Sequence, residues 1–380
     1  MNRYPIFSTP LIACLLVAFA MGALHAYGTL LEALEQQFQV SRIWASSIYG
    51  VSLFSATIAV LLGPYLFNRY TPDKLALVLI FIVLTTSLLV AYGGYWPWLL
   101  GHGLLFGVAS GGGYALALFV AARSVPNNRQ GLALGMVTAA YALGSAWFAV
   151  FYPWVLADFS LRDAYLLGMA QVLVLCGLAV LLWRSHQVVP IAAEAANNFS
   201  TAKGIGRLWL AYACGVFAGL MIIGHALPLM KLSLVTPGVA VAALALMSLA
   251  NGIASLLAGG FADRWGCVYL LRRIAGVSAL ALLCLAYAYG ALAVVLMVLV
   301  GAMYGAFIAV FPTFINRMFG LRHGPAIYGR VFTAWGVAGL LAAPTAAWLY
   351  QISQNYQIAL LIAAGLALSS VLLMAPLEDK

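Results

Sequence analysis

The sequence predicts an all-α membrane protein with twelve transmembrane helices in two pseudo-symmetric six-helix bundles. Of its 380 residues, 65% are hydrophobic and 7% are charged, whereas roughly a quarter of the residues in a soluble domain are charged. Apolar stretches recur along the whole chain, and each is long enough to cross a hydrocarbon core of about 30 Å as a helix. One long polar stretch divides these apolar segments six from six.

The apolar runs are continuous and lack the alternation of barrel strands. Because every backbone amide in lipid must be satisfied internally, such runs favour helices. The predicted spans, numbered 1 to 12 in chain order, lie near residues 7–30, 43–67, 75–93, 97–121, 131–153, 163–184, 207–230, 237–262, 272–290, 291–316, 330–351 and 355–376.

The lysines and arginines fall mostly on one side of the predicted spans. Fifteen lie at one face, and three, Arg42, Arg162 and Lys231, lie at the other. Cytoplasmic loops carry such an excess, so we expect both termini in the cytoplasm and the chain in the plasma membrane, which is the inner membrane in a bacterium. The formal charge of +9 then reflects membrane insertion, and no nucleic-acid partner is expected.

The N-terminal segment also resembles a cleaved signal peptide, with Arg3, an apolar run from Leu11 and the triplet Ala18-Phe19-Ala20. We interpret it as span 1, because the apolar run continues to Leu31 and its removal would break the even number of spans.

No metal site or cofactor is expected. The five cysteines have no CxxC spacing and no neighbouring histidine cluster, which is typical of packing residues. The triplet of glycines at 111–113 is not followed by Gly-Lys-Ser/Thr, so it does not predict a phosphate-binding loop.

The chain is predicted to contain two related halves. We assign residues 1–184 to an N-terminal bundle, 185–206 to a cytoplasmic linker and 207–380 to a C-terminal bundle. Similar stretches occupy matching places, such as "GALHAYG" in span 1 and "IIGHALP" in span 7, as expected for internal repeats. Glycines recurring every four residues predict smooth faces for close helix packing in spans 4, 5 and 10; they are Gly103, Gly107, Gly111, Gly131, Gly135, Gly301 and Gly305.

Two polar stretches stand at the ends of spans 2 and 8, "GPYLFNRY" at 63–70 and "GGFADRWG" at 259–266. Their glycines would let a neighbouring helix approach closely, and their charged residues sit where water begins and can pair with helix termini. One hypothesis is a cytoplasmic latch that breaks and reforms during conformational change. The alternative is that Asp263 and Arg264 are ordinary residues of the membrane edge.

The stretch Gly-x-x-x-Asp-Arg-x-Gly after span 8, with its weaker copy after span 2, resembles the signature loop of the major facilitator superfamily. The resemblance implies the twelve-helix fold of that transporter superfamily and a role in gating for both loops. The asparagine and tyrosine around Arg69, together with stretches such as "AGLMIIGHALPLMK", resemble the monocarboxylate transporter branch and its oxalate/formate antiporter-like neighbours. The residues assigned to gating are Gly63, Asn68, Arg69, Gly259, Asp263, Arg264 and Gly266.

This chain departs from that branch at two positions. Its carriers commonly have an arginine in span 8 and, in some members, a lysine in span 11; the alignment puts Ser255 and Trp335 at these places. A dianion such as oxalate is therefore disfavoured, because a low-dielectric site would lack permanent counter-charges. A monoanion that enters with a proton, or a neutral or amphipathic compound, remains open.

Two histidines are the ionisable candidates at membrane depth, where a charged residue costs about 2.5–3.5 kcal/mol on insertion scales. They are His25 in span 1 and His225 in span 7, which repeat symmetry would put across a central cavity from each other. With an ordinary pKa of about 6.5, a histidine can accept a transported proton and hold a carboxylate as imidazolium. The alternative is a neutral histidine that packs between helices. His102 in span 4 is a weaker candidate.

Polar and aromatic residues could complete a substrate site, although aromatic residues within spans are more often packing residues. The resemblance implies that Asn251 and Trp335 face the cavity. The full set of predicted substrate-binding residues is His25, Tyr27, Tyr114, Tyr141, His225, Asn251, Ser255, Tyr304, Thr333 and Trp335.

These features predict a secondary active transporter, and not an enzyme, that moves a small organic acid by alternating access, coupled to protons or by exchange. An exporter of amphipathic or neutral compounds is the alternative, although span 5 lacks the Gly-Pro antiporter motif of many drug exporters. An intramembrane enzyme would need a catalytic set at membrane depth, and the sequence has no His-Glu-x-x-His and no paired aspartates within spans. A sensor would need an output domain, for which the short loops leave little room.

Overall fold

A computed structural model of the chain describes residues 8–184 and 202–375, and all of their regular elements are helices. Eleven helical segments in these residues are long and apolar enough to cross a membrane. One of them, Gly290–Ala342, has 53 residues, or about 80 Å of helix at 1.5 Å per residue. That length is more than twice the hydrocarbon thickness, so the segment supplies two crossings and the described residues contain twelve.

Residues 8–127 and 140–184 form one compact unit. Its helix α6 packs against α1 and α3, and α8 packs against α1 and α4. The elements in order are α1 (Thr9–Met21), continued by a 3₁₀ segment (Gly22–Thr29), α2 (Leu31–Phe38), α3 (Arg42–Phe67), α4 (Pro72–Tyr92), α5 (Tyr95–Trp98), continued by a π-helical segment (Leu99–Phe106), α6 (Gly107–Arg123), α7 (Gln130–Leu156) from residue 140 onward, and α8 (Leu161–Arg184).

Residues 128–139, which include the first ten residues of α7, group with residues 202–375 in a second unit. Here α13 packs against α9, α11 and α12, and α14 packs against α9 and α12, around a core of buried alanine, leucine and methionine side chains. The elements are α9 (Ala202–Gly224), α10 (Ala226–Leu232), α11 (Pro237–Trp265), α12 (Cys267–Leu285), α13 (Gly290–Ser353) and α14 (Gln357–Met374).

Span 7, predicted as one helix over 207–230, is divided into α9 and α10, and three further differences concern a loop, the linker and the start of one helix. The predicted loop at 317–329 is helical except at Gly320, whose φ of 75° and ψ of 161° break α13 in a conformation essentially restricted to glycine. Helix α9 begins at Ala202, inside the predicted linker, and the rest of that linker lies outside the described residues. Helix α12 begins five residues before the predicted start of span 9. Hydropathy marks only the part of a helix in hydrocarbon, whereas the backbone continues as helix through polar residues at the membrane edge.

The glycines that recur every four residues pack directly against neighbouring backbones, as the spacing predicts. A Cβ at Gly107 would lie 2.6 Å from the carbonyl oxygen of Ser52 and 2.9 Å from its Cα. This contact is closer than side chains allow, so glycine sets the separation of α3 and α6. The other pairs are Gly103 with Ile48, Gly111 with Ala56, Gly131 and Gly135 with Gly259, Gly301 with Met247, and Gly305 with Asn251.

We predict that Gly107→Ala lowers the apparent melting temperature of the purified protein in detergent. The added methyl group would meet the backbone of α3, which cannot rotate away, and overpacking of this kind costs roughly 1–3 kcal/mol.

The control is Gly112→Ala in the same helix, where the nearest atoms to a new Cβ are 3.9 Å away. Alanine there should be neutral or slightly stabilising, because it favours helix over the unfolded chain. Equal melting temperatures for the two variants would contradict the proposed role of Gly107.

Candidate functional site

His25 lies in the 3₁₀ segment that continues α1, and its side chain is half-buried. Its Nδ1 is 2.6 Å from the hydroxyl oxygen of Tyr49 on α3. The ring of Tyr141 on α7 meets the imidazole edge-on, with centroids 5.4 Å apart. The predicted proton-coupling residue is therefore held between two tyrosines, of which Tyr49 was not among the predicted site residues.

Tyr114 and Tyr141 join the same group. Their rings lie edge to face with centroids 5.1 Å apart, and the Tyr141 hydroxyl is 3.0 Å from the hydroxyl of Ser110 on α6. Ser110 also donates to the carbonyl of Met21 at 2.9 Å. The structure thus brings together three predicted residues, His25, Tyr114 and Tyr141, with Ser110 as an unpredicted polar member.

Tyr27, another predicted site residue, is buried next to Tyr49. Its hydroxyl donates to the carbonyl of Ala45 at 2.6 Å, and its ring stacks on Tyr49. On its other side lies His102 of the π-helical segment, with ring centroids 4.9 Å apart. His102 is also buried and its Nδ1 is 2.9 Å from the Tyr165 hydroxyl. Tyr27 and His102 therefore belong to a buried aromatic cluster that contacts Tyr49, the hydrogen-bond partner of His25.

His225 stands at a break between α9 and α10, with φ of −121° and ψ of 16°. Its Nδ1 is 3.1 Å from the hydroxyl of Tyr356, which precedes α14. The ring of Tyr356 in turn stacks on Tyr350. Each predicted proton-coupling histidine thus interrupts regular α-helix and contacts a tyrosine hydroxyl, a pairing that hydropathy alone could not predict.

Asn251 and Ser255 lie one turn apart on α11. The hydroxyl of Ser255 donates to the carbonyl of Asn251 at 2.8 Å, and Ser255 is buried. The backbone of Ser255 lies against Gly135, and the side chain of Asn251 lies against Gly305 of α13. Both predicted residues therefore also contribute to helix packing.

The remaining predicted residues lie on α13. The indole Nε1 of Trp335 donates to the hydroxyl of Tyr304 at 2.9 Å, and its ring stacks on Phe332. Thr333 accepts a hydrogen bond of 2.9 Å from Nε1 of Trp209 on α9. The structure pairs Trp335 with Tyr304 and places Trp209, which was not predicted, beside Thr333. Trp209 and Thr333 are 124 residues apart, so no local sequence pattern could predict their contact.

Asp263 at the end of α11 holds three hydrogen-bond donors. Its two carboxylate oxygens accept from the backbone amides of Gly131 and Leu132 at 2.9 and 2.8 Å. These amides belong to the first turn of α7, where no intrahelical acceptor exists. Nη2 of Arg317 lies 2.6 Å from the carboxylate, and Nη1 donates to the carbonyl of Ala262. The side chain of Asp263 is only 7% exposed, so this carboxylate joins α7, α11 and α13.

Of the other predicted gating residues, Gly259 packs against Gly131 and Gly135, and the rest have fewer contacts. Gly266 has a φ of 86° and joins α11 to α12, and Arg264 is exposed. In the N-terminal copy, Asn68 is the C-cap that follows α3, Arg69 is exposed and Gly63 lies under the ring of Phe67.

We predict that Asp263→Ala lowers the apparent melting temperature more than Arg317→Ala. The first change leaves two helix-terminal amides and a guanidinium without their acceptor, whereas the second leaves a carboxylate that still binds both amides. Loss of the helix cap alone costs about 0.5–2 kcal/mol.

Asp73→Ala is the matched control, because the Asp73–Arg184 contact of 3.8 Å involves an arginine that is 56% exposed. Exposed pairs contribute about 0–1 kcal/mol. If Asp263→Ala and Asp73→Ala melted alike, Asp263 would not have the role that its contacts indicate.

The family of the chain follows from comparison with known proteins. The model of the Major Facilitator Superfamily matches residues 11–289 and, in a second match, residues 208–380. An uncharacterized 38 kDa protein in the 23S RNA operon of Thermoproteus tenax is 28% identical over 279 residues, covering 72% of this chain and 68% of that protein. Human monocarboxylate transporter 14 is 31% identical over 107 residues, covering 28% of this chain and 21% of that transporter.

Solved transporter structures share the fold over nearly the whole chain. The proton:xylose symporter XylE has a TM-score of 0.76 and 14% identity, over 98% of this chain and 96% of XylE. A variant of the E. coli fucose:proton symporter FucP has a TM-score of 0.70 and 16% identity, over 97% and 98%. The human organic anion transporter MFSD10 has a TM-score of 0.75 and 14% identity, over 98% and 100%. The predicted fold is confirmed, and the chain belongs to the Major Facilitator Superfamily of integral membrane transporters.

Proposed function

We propose that this protein is a secondary active transporter that moves a small monocarboxylate-like organic acid by alternating access, coupled to protons or by exchange. The observation that carries the proposal is the half-buried His25 with its Nδ1 2.6 Å from the Tyr49 hydroxyl. An imidazole within a membrane-spanning segment is an unusual group to retain and a natural proton acceptor.

Protonation of His25 would couple a proton to an acid. The resulting imidazolium donates from both ring nitrogens, so Nδ1 can donate to the Tyr49 oxygen while the positive ring attracts a carboxylate. The ring of Tyr141 meets the same imidazole, and its hydroxyl can donate to a carboxylate oxygen in exchange for its hydrogen bond to Ser110. Release of the proton would remove the counter-charge and release the acid.

A monoanion suits these residues better than a dianion. Carriers of the monocarboxylate transporter branch have an arginine or a lysine at two positions where this chain has Ser255 and Trp335. Here the Ser255 hydroxyl donates to a backbone carbonyl, and the Trp335 indole donates to the Tyr304 hydroxyl. A second negative charge would therefore lack a fixed partner at these positions, and burying it without one is costly.

The comparisons with known proteins support a transporter of organic acids, but they do not identify the substrate. The partial match is to a monocarboxylate transporter, and the structures with the same fold include an organic anion transporter and two proton symporters. We further propose that the protein lies in the plasma membrane, the inner membrane in a bacterium, with both termini cytoplasmic, because fifteen of eighteen lysines and arginines fall on one predicted side.

The Asp263 contacts suggest how conformational change is controlled. We propose that the first turn of α7 leaves α11 during each cycle, so that the bonds from Gly131 and Leu132 to Asp263 break and reform. Hydrogen bonds to a charged group contribute about 1.5–3 kcal/mol each, which is small enough to break and large enough to hold one state.

Counterflow in proteoliposomes tests the transport proposal. We predict that proteoliposomes preloaded with lactate take up labelled lactate or formate faster than labelled oxalate or xylose. The uptake of lactate or formate should be faster at about pH 6 than at about pH 8, because these values lie on either side of the ordinary imidazole pKa. His25→Gln should remove the acid stimulation because glutamine cannot take up the proton.

Tyr49→Phe is the matched control, because it keeps the imidazole and removes only its hydroxyl partner. We expect acid stimulation to persist in that variant with a shifted midpoint. Faster exchange of xylose or an amphipathic cation than of any acid, by folded protein, would favour the exporter. Unchanged pH dependence in His25→Gln would remove His25 from the proposal, and His225→Gln would then be measured.

A further inference from the structure

The turn between α11 and α12 presents a group of exposed arginines and aromatic rings. Arg264 stands at the end of α11, and Arg272 and Arg273 lie in the second turn of α12; all three are exposed. Trp265 and Tyr269, on either side of Gly266, are 57% and 50% exposed. We call these five residues, Arg264, Trp265, Tyr269, Arg272 and Arg273, the α11–α12 basic surface.

Among the described residues, no carboxylate forms an ion pair with the arginines of this surface. The carboxylate of Asp263, the acidic residue nearest in sequence, binds the amides of α7 and the guanidinium of Arg317. Within residues 8–184 and 202–375, no ion pair joins Arg264, Arg272 or Arg273 to an acidic side chain, and Arg273 lies over the ring of Tyr269 at 4.9 Å.

The two arginines of α12 lie on the face that continues as its apolar exposed surface. Tyr269, Arg272, Arg273, Val277 and Leu280 are all exposed and follow one another at helical spacing. In a membrane such an apolar face contacts lipid tails. Arg272 is five residues, or about 8 Å, beyond the start of α12, which is about the thickness of one headgroup layer.

This arrangement suits the phosphate of a lipid headgroup. Guanidinium groups bind phosphate oxygens through paired hydrogen bonds, and exposed tryptophan and tyrosine rings at a membrane edge lie at headgroup level. A zwitterionic headgroup brings its own cation against three positive charges, whereas an anionic one does not.

We propose that the α11–α12 basic surface binds the phosphate of an anionic phospholipid, such as phosphatidylglycerol or cardiolipin. The lipid bridges α11 and α12 beside Gly266 and steadies the turn that carries Asp263. The proposal depends on the membrane location of the chain and on no particular transported substrate.

Thermal unfolding in a non-ionic detergent tests this site. Phosphatidylglycerol should raise the apparent melting temperature of the wild type, and phosphatidylcholine or inorganic phosphate at equal concentration should not. Arg272→Gln and Arg273→Gln should each raise the half-saturating phosphatidylglycerol concentration about fivefold. Arg272→Lys and Arg273→Lys keep the charge and should fall in between, which separates a lost site from poor folding. Native mass spectrometry of the same samples should show fewer bound anionic lipids in the glutamine variants.

Arg162→Gln is the control, because Arg162 is exposed at the start of α8, outside this surface, and it should respond like the wild type. Equal stabilisation by phosphatidylcholine, or by inorganic phosphate alone, would overturn the proposal. Unchanged lipid affinity in both glutamine variants would also overturn it.

A further contrary outcome concerns the acidic residues Glu378 and Asp379, which follow α14 in sequence. If Glu378→Gln/Asp379→Asn alone strengthened lipid binding tenfold or more, the chain's own carboxylates would be the occupant.

Discussion

The lack of water in the hydrocarbon core is the constraint on which the rest of this structure depends. Each backbone amide must find its acceptor inside the chain, and the described residues are accordingly helical almost throughout. Hydroxyl groups within helices obey the same rule: Ser87, Thr138 and Ser255 each donate to the carbonyl four residues earlier. Other polar side chains bond to a different helix, and two groups of such contacts, at His25 and at Asp263, are where we place function.

Helices in a membrane pack closely without a hydrophobic driving force, and this explains why glycines recur where helices cross. It also connects these glycines to the contact of Asp263 with the first turn of α7. Apolar tails compete equally for apolar side chains, so helices associate through backbone approach and polar contacts. Gly131 and Gly135 meet Gly259 across α7 and α11, and Asp263 then reaches the amides at the start of α7. The same close approach that packs these helices puts a carboxylate beside a helix terminus, where its charge is favourable.

The sequence could predict the features that composition and spacing determine. Span number followed from hydropathy, and the glycine contacts followed from their four-residue repeat. It could not predict partners distant in the chain, such as Tyr49 for His25 or Arg317 for Asp263, because no local pattern links residues 24 or 54 positions apart. The loop expected before Arg330 is mostly helix, since charged residues end a membrane span without ending a helix, and the break falls at Gly320.

Cross-linking of α7 to α11 tests most directly the claim that their separation is part of transport. In a background with the five native cysteines replaced, Leu132→Cys and Gly260→Cys would form the pair, because a Cβ at Gly260 lies 3.7 Å from Cδ1 of Leu132 and the two positions therefore face each other. With a carboxylate that the wild type exchanges, oxidation to the disulfide should stop exchange and reduction should restore it, while each single-cysteine variant exchanges under both conditions. Full exchange by protein carrying the disulfide would contradict the account.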